Sequence, residues 1–297
     1  MVKPINSLER LISEMSEQDH RLRDYEANAR RGYLPLNNYV ERDLQDQNWM
    51  YLNAANATSR IAVARIAERR IEEALARLPP SMPIFWITLA PLKYAMAASE
   101  AKNFDVRRLQ GWTRQVLGGL SFIGCVDVAY YPRYWGFFPG TKAMSFHVHA
   151  LAWGMDRHSL FALSEQLNAK YDCMIPGAVA VHVQDVPLRM ALQKVPYMLK
   201  RPTKSYRIRI GKRELTDSET GEITSERTYK QFKQKLRTRE IVMSVNLLHN
   251  WFLEELFFGS LEGTTLRNEI VGEVLRPMFR RDPGSRNASR PGSVNRG

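Results

Sequence analysis

Two histidines separated by a single valine, His147 and His149, are the residues of this chain best suited to holding a metal ion. They lie in Phe146-His147-Val148-His149-Ala150-Leu151, which reads as a strand, and on a strand the side chains at i and i+2 point to one face. Two imidazoles side by side make a bidentate clamp. A lone His-x-His is more often a pair of histidines on a solvated strand face, so company is needed. Asp127 offers it, because an acid flanked by Val126 and Val128 in an apolar strand is costly to bury unless paired, hydrogen-bonded or metal-bound. A salt bridge to a neighbouring arginine is the competing reading. Two imidazole nitrogens and one carboxylate leave coordination positions open for a phosphate oxygen, as a Lewis-acid site requires. Such mixed N/O ligation suits Mn2+ better than Mg2+, while availability in the cell favours Mg2+.

The third element is Tyr197-Met198-Leu199-Lys200. Residues three apart on a helix share a face, so hydroxyl and ammonium can address one site. An ordinary phenol, with a pKa of about 10, is ionised in only about one molecule in a thousand at pH 7, and a nearby cation or metal favours the phenolate. The bland alternative is a tyrosine packed on the core beside a solvated lysine.

Several elements must position these residues. The apolar run 84–89 reads as a buried strand. Asp105 caps a helix through Leu117, which Gly118 and Gly119 end. Residues 121–130 and 144–153 read as strands joined by a turn-rich stretch, an antiparallel hairpin that sets Asp127 opposite the histidine pair. Asp156 caps a helix over 157–170, and 177–183 reads as a fourth strand. Pro187 opens a helix towards Lys200, in which Pro196 should cause a kink or a restart. The result is an α+β chain with a central antiparallel sheet backed by helices. Residues 7–78 read as helical, stopped by Pro79 and Pro80, with a scaffolding or partner-contact role. A polar hairpin-like segment follows Arg213, then a helix over 238–258. The Arg-, Gly-, Pro- and Ser-rich tail from Arg276 reads as disordered. The implied organisation is a helical region 1–78, a catalytic domain 79–205, a basic region 206–275 and the tail 276–297.

Forty-three Lys and Arg against 31 Asp and Glu give a net charge of +12, which attracts polyanions because neutralised phosphates release counterions. The cations cluster. Lys194, Lys200, Arg201, Lys204, Arg207, Arg209, Lys212 and Arg213 follow one another with no acid between Asp185 and Glu214, and a second group runs from Arg227 to Arg239. A solvated face would look similar, but two clusters in one half point to nucleic acid. The residues expected to touch DNA are Lys194, Arg201, Lys204 and Arg207, with Tyr131 and Trp135 from an aromatic loop (Tyr130, Tyr131, Tyr134, Trp135, Phe137, Phe138). Rings stacked on unpaired bases contribute ~1–3 kcal/mol each; rings packed under the hairpin as core are the alternative. Cys125 and Cys173 make neither a disulfide framework nor a Cys-rich zinc site. The first ten residues lack the apolar region of a signal peptide, and no apolar run approaches a membrane span of about 20 residues. A cytoplasmic protein without membrane contact is expected. His158 and His182 lack companions at ligand spacing and read as structural, and His249 as part of a helical core.

Order and spacing together resemble the HUH endonuclease superfamily, and within it the rolling-circle replication initiators of plasmids and phages. Phe85-Trp86-Ile87-Thr88-Leu89 matches the first motif, Phe146-His147-Val148-His149-Ala150-Leu151 the second and Tyr197-Met198-Leu199-Lys200 the third. Asp127-Val128-Ala129-Tyr130 stands where the family often has a Glu. The resemblance covers roughly residues 83–205. It implies a five-stranded antiparallel sheet with metal on His147, His149 and Asp127 on its open face. Tyr197 would attack the scissile phosphate of single-stranded origin DNA, leaving a 5′-phosphotyrosine and a 3′-OH primer, with Lys200 stabilising charge or holding the phosphate. Host helicase and polymerase, and a second copy of the chain, are the further partners it implies. Gln193, four residues before Tyr197, makes this a single-tyrosine type. The acid-free stretch offers no local Glu to activate water at termination, so an acid must come from elsewhere or from a second protomer. A single-strand transposase shares the chemistry. Relaxases usually carry a third histidine where this chain has Ala150 and Leu151, and His-x-His-x-Asp-His hydrolases need Asp and His where it has Leu151 and Ala152. A non-catalytic basic DNA-binding protein is the reading from outside enzymology.

Overall fold

The structure, a computed structural model, describes residues 5–28, 34–46, 52–134, 141–216 and 223–280. Three helices come first: α1 (Leu8–Ala27), α2 (Asn38–Asp46) and α3 (Ala57–Leu75). Then follow β1 (Phe85–Leu89), β2 (Ala95–Ala97), α4 (Val106–Val116), β3 (Ser121–Tyr134), β4 (Thr141–Trp153), α5 (Arg157–Lys170), β5 (Val181–Asp185) and α6 (Leu188–Met198). The C-terminal part holds β6 (Lys204–Thr216), β7 (Ile223–Lys235), α7 (Thr238–Leu248), α8 (Leu253–Leu256), β8 (Phe257–Ser260) and α9 (Glu262–Arg280). No helix among the described residues is long and apolar enough to cross a membrane.

The fold is α+β. Its sheet has eight strands rather than five, in the order β5-β1-β4-β3-β6-β7, with β2 added beside β4 and β8 beside β3. All pairings are antiparallel except the single bridge of β3 to β6. Period-2 alternation divides the central strands. Trp86, Thr88, Cys125, Asp127, His147 and His149 share one face, against which α6 packs through Tyr197 and Trp86. Phe146 points to the other face, stacked on Phe104 and edge-on to Trp251.

Local signals held where they were chemical. The Asp105 carboxylate accepts from the Arg107 and Arg108 amides, and Asp156 from that of Ser159; each satisfies N–H groups a helix start leaves unpaired. Gly119 supplies the left-handed backbone (φ 86°) after α4. Elsewhere tertiary context prevailed. The fourth strand begins at Val181, because Gly177 (φ 78°) and its neighbours turn. The helix expected over 238–258 ends at Leu248, and Phe257–Ser260 instead pairs with the edge of β3. The hairpin expected after Arg213 starts at Lys204. Pro196 neither breaks nor restarts α6, which runs through it to Met198; the proline falls in the last turn, where only one backbone bond is lost. Arg276 to Arg280 continue α9, and the rest of the tail lies outside the described residues.

Close approach of β3 to β4 matters to the site. A Cβ on Gly124 would stand 2.8 Å from the His149 carbonyl oxygen and 3.0 Å from the Ala150 Cβ. Gly124→Val should therefore force the two strands apart beside a metal-ligand candidate, lowering stability by about 1–3 kcal/mol in urea unfolding.

Candidate metal and tyrosine site

The Asp127 carboxylate sits opposite His147 in the β3–β4 register, next to the pair Cys125–His149. One oxygen, Oδ1, accepts from the Val128 amide at 2.7 Å. The other, Oδ2, lies 3.7 Å from His147 Nε2 and 3.8 Å from His149 Nε2, and these two nitrogens are 3.2 Å apart. All three residues are buried, and they form a potential metal-holding group. Donor atoms bound to one ion at about 2.1 Å lie roughly 3.0–3.4 Å from each other, so the set needs only slight tightening.

Protons on the rings support the same conclusion. His147 Nδ1 is 3.2 Å from the Ser145 carbonyl oxygen, which can only accept, so Nδ1 carries the hydrogen and Nε2 keeps its lone pair. His149 Nδ1 is 3.0 Å from the Thr88 hydroxyl, which can donate or accept. With Thr88 accepting, both Nε2 lone pairs face the same point, a geometry that a metal ion satisfies. With Thr88 donating, His149 can give its Nε2 hydrogen to His147. Burial is the main reason both imidazoles lie below their ordinary pKa, His149 far below, and neutral rings are what a metal requires.

The cation present is Lys200. Its ammonium bonds to Asp127 Oδ2 and lies 4.4 Å from the centre of the Tyr197 ring. Burial alone would raise the Asp127 carboxyl, but Lys200 and the two imidazoles hold it well below the usual carboxylate range. Burial likewise opposes the Lys200 charge, yet Asp127 raises that ammonium above its ordinary value. The competing salt-bridge reading of Asp127 is thus met by a lysine, and a divalent ion would contend with it for Oδ2.

Tyr197 is half-buried, its ring 5.1 Å from that of His149 and 6.1 Å from that of Trp86. Lys194, one turn earlier, stands over Trp86 at 5.6 Å. Along the row Cys125, His149, Thr88, His182, burial gives way to exposure, so the site opens towards β5. His182 itself is two strands from His149, about 10 Å, too far to share an ion. His158 is exposed, and His249 stacks on Tyr39. Burial pushes the Cys125 thiol up to about 12, keeping it protonated at neutral pH.

Sequence reasoning missed two residues that the N-terminal helices contribute. Arg60 of α3 is fully buried, donating to the carbonyls of Leu199 (2.9 Å), Lys200 (2.8 Å) and Ala54 (2.6 Å). It thereby fixes the segment that carries Lys200; burial lowers its pKa to about 10, which leaves it charged at neutral pH. Glu14 of α1, only 2% exposed, lines a cavity of about 20 Å³ together with Tyr197, Lys200 and Tyr206, and its Oε1 has no hydrogen-bond partner. A cavity above about 10–15 Å³ admits one water. Nothing local marks either residue, since both sit in ordinary helical sequence.

The expected DNA contacts divide. Lys194, Lys204 and Arg207 are partly exposed. Arg201 is not available: it is 2% exposed and donates to Met15 O, Ala55 O and Asp19, tying α1 to the site. Tyr131 is 5% exposed and stacked on Tyr206, and Tyr130 and Tyr134 are buried too, so these rings are core rather than a base platform. Trp135, Phe137 and Phe138 lie outside the described residues. No protein-family model, no curated protein and no solved structure matches the chain.

Two measurements check this geometry. Thr88→Val should weaken Mn2+ binding by about 10–100-fold in calorimetry, the usual effect of losing a ligand's orienting partner. Lys200→Met, leaving Asp127 buried and alone, should cost about 3–5 kcal/mol in EDTA. Mn2+ should recover more stability in that variant than it adds to the parent, and Asp127→Leu combined with Lys200→Met should restore most of the loss.

Proposed function

We propose that this chain is a metal-dependent endonuclease and strand transferase that nicks single-stranded DNA through Tyr197, the chemistry with which rolling-circle replication initiators start a cycle in the cytoplasm. The observation that carries the reading is the convergence of His147 Nε2, His149 Nε2 and Asp127 Oδ2 beside the Tyr197 ring. A divalent ion on those three residues, Mn2+ or Mg2+, would supply Lewis-acid polarisation of the scissile phosphate.

The remaining steps belong to the chain itself. Lys194, half-buried over the Trp86 ring beside the opening towards β5, meets the incoming strand. The Tyr197 oxygen attacks phosphorus, forming the phosphotyrosine bond as the bond to the 3′ oxygen breaks, and that oxygen takes a proton from solvent water to leave as the primer hydroxyl. The phenol proton passes to Glu14, which lines the small cavity together with Tyr197 and Lys200. Lys200 holds its ammonium over the Tyr197 ring, where it can meet the phosphate charge as the bond forms. For release, Glu14, having returned the phenol proton to solvent, takes a proton from an attacking water, a P–O bond to water replaces the bond to Tyr197, and the phenolate recovers the proton. Glu14 is thus the acid from elsewhere that the stretch after Asp185 lacks.

One observation favours a second reading, a basic DNA-binding protein without catalysis: the Lys200 ammonium already neutralises Asp127 without an ion. Labelled single-stranded circular DNA and candidate-origin oligonucleotides, incubated with Mn2+ and resolved on a denaturing protein gel, separate the two. The nicking reading expects a labelled protein band that EDTA and Tyr197→Phe each abolish. Glu14→Gln should slow its appearance by about 10²–10⁴-fold with Mn2+ affinity unchanged. DNA bound with no covalent band would leave the binding protein as the answer.

A further inference from the structure

We infer that the β6–β7 hairpin is a duplex-DNA grip, separate from the metal site and independent of it. The hairpin pairs in register from Lys204↔Lys235 to Thr216↔Ile223, and thirteen residues per strand at about 3.3 Å each give a ribbon roughly 43 Å long. Its root alone is attached. Ser205 makes the one bridge to β3 at Tyr130, and Tyr206, Ile208 and Tyr229 pack with Tyr131 in a small apolar cluster. From Arg209 to Glu214, and from Ser225 to Arg227 opposite, both strands are exposed.

Charge identifies the partner. The two strands carry nine Lys and Arg against two Glu, a net of +7 in a chain of net +12. Among the described residues, the only ribbon cation in an ion pair is Lys235, with Glu17. Arg209, Arg213 and Lys230 lie on one face with Phe232, and Lys212 and Arg227 form a pair on the other. A rod with cations on both faces, of which only Lys235 is ion-paired among the described residues, fits a polyanion that surrounds it.

The form of that polyanion follows from the rings. Single-strand grips present aromatic faces to successive bases, but Tyr206 and Tyr229 belong to the cluster at the root. The exposed ring, Phe232, is covered by the Arg209 guanidinium at 4.5 Å. Without a stacking platform, the ribbon suits the major groove of B-form DNA, about 12 Å wide, which admits a two-stranded ribbon with phosphates on both sides. The corresponding groove of an RNA duplex is too narrow. The ribbon would hold duplex beside the strand that enters the site, so the whole chain addresses a junction of double- and single-stranded DNA.

Fluorescence anisotropy of the full chain in EDTA tests this without any nicking step. The probes are a labelled 24-base-pair DNA duplex, one of its strands alone, the same duplex in RNA, and phosphatidylserine vesicles. Combined Arg209→Ala, Arg213→Ala and Lys230→Ala should weaken duplex DNA binding at least tenfold and reduce the salt slope by roughly 2–3, since each lost phosphate contact removes about 0.9. Single-strand binding should stay within about twofold. The charge-keeping variant Arg209→Lys, Arg213→Lys, Lys230→Arg should hold duplex affinity within about threefold, which guards against a loss due to misfolding. Equal loss on duplex and single strand, an unchanged duplex affinity, or a parent chain that prefers RNA or vesicles overturns the inference. Because metal and Tyr197 play no part in these measurements, absence of a covalent adduct would leave the ribbon's role standing.

Discussion

A carboxylate sealed inside an apolar sheet must have a cation beside it, and that requirement organises most of what surrounds Asp127. The residue is 6% exposed between Val126 and Val128, and a buried charge without a partner costs several kcal/mol. Lys200 answers it, but only because the chain after α6 is held where the ammonium can reach. Arg60 accomplishes this by gathering the carbonyls of Leu199 and Lys200, and Arg201 by gripping α1 and Ala55. The N-terminal helices, which read as a scaffold, therefore help to position the site: Arg60 of α3 and the α1 contacts of Arg201 fix the chain at the end of α6.

The same constraint shapes the chemistry. A sheet face that buries Asp127 also buries His147 and His149, and burial keeps both rings neutral. The Ser145 carbonyl settles the tautomer of one ring, while the Thr88 hydroxyl leaves the other able to switch. The Lys200 ammonium satisfies the buried carboxylate without any ion. It also stands over the tyrosine ring. In the nicking reading proposed above, structural and catalytic roles fall on the same side chain, because the lysine that neutralises a buried carboxylate occupies the place a metal ion would take.

Charge and aromaticity are distributed differently from what their spacing implies. Rings expected to meet bases, Tyr130, Tyr131 and Tyr134, pack inward because β3 continues past Tyr130 and carries them under the β6–β7 root. Cations expected to form one DNA-facing patch separate into a buried clamp, Arg201, a group near the opening, Lys194 and Lys204, and an extended ribbon. A linear charge run has one spatial meaning only if its residues share an element, and this one spans the end of a helix, a buried connection and a strand.

The sequence by itself determined whatever depends on neighbours within a few residues. Strand alternation put His147 and His149 on one face, the apolar hairpin set Asp127 opposite them, helix caps at Asp105 and Asp156 marked real starts, and the apolar run 84–89 became β1 from Phe85 on. What only the tertiary structure decided are the contacts between distant segments. Lys200 joins Asp127 across 73 positions and Arg60 reaches Leu199 across 139. Glu14 arrives from the first helix, Phe257–Ser260 becomes a strand because the β3 edge was free to pair, and the basic hairpin stands out from the body instead of lying on it. Periodicity reports which side of an element is apolar, whereas the partner that neutralises a buried charge is chosen by packing between elements, for which a linear pattern carries no signal.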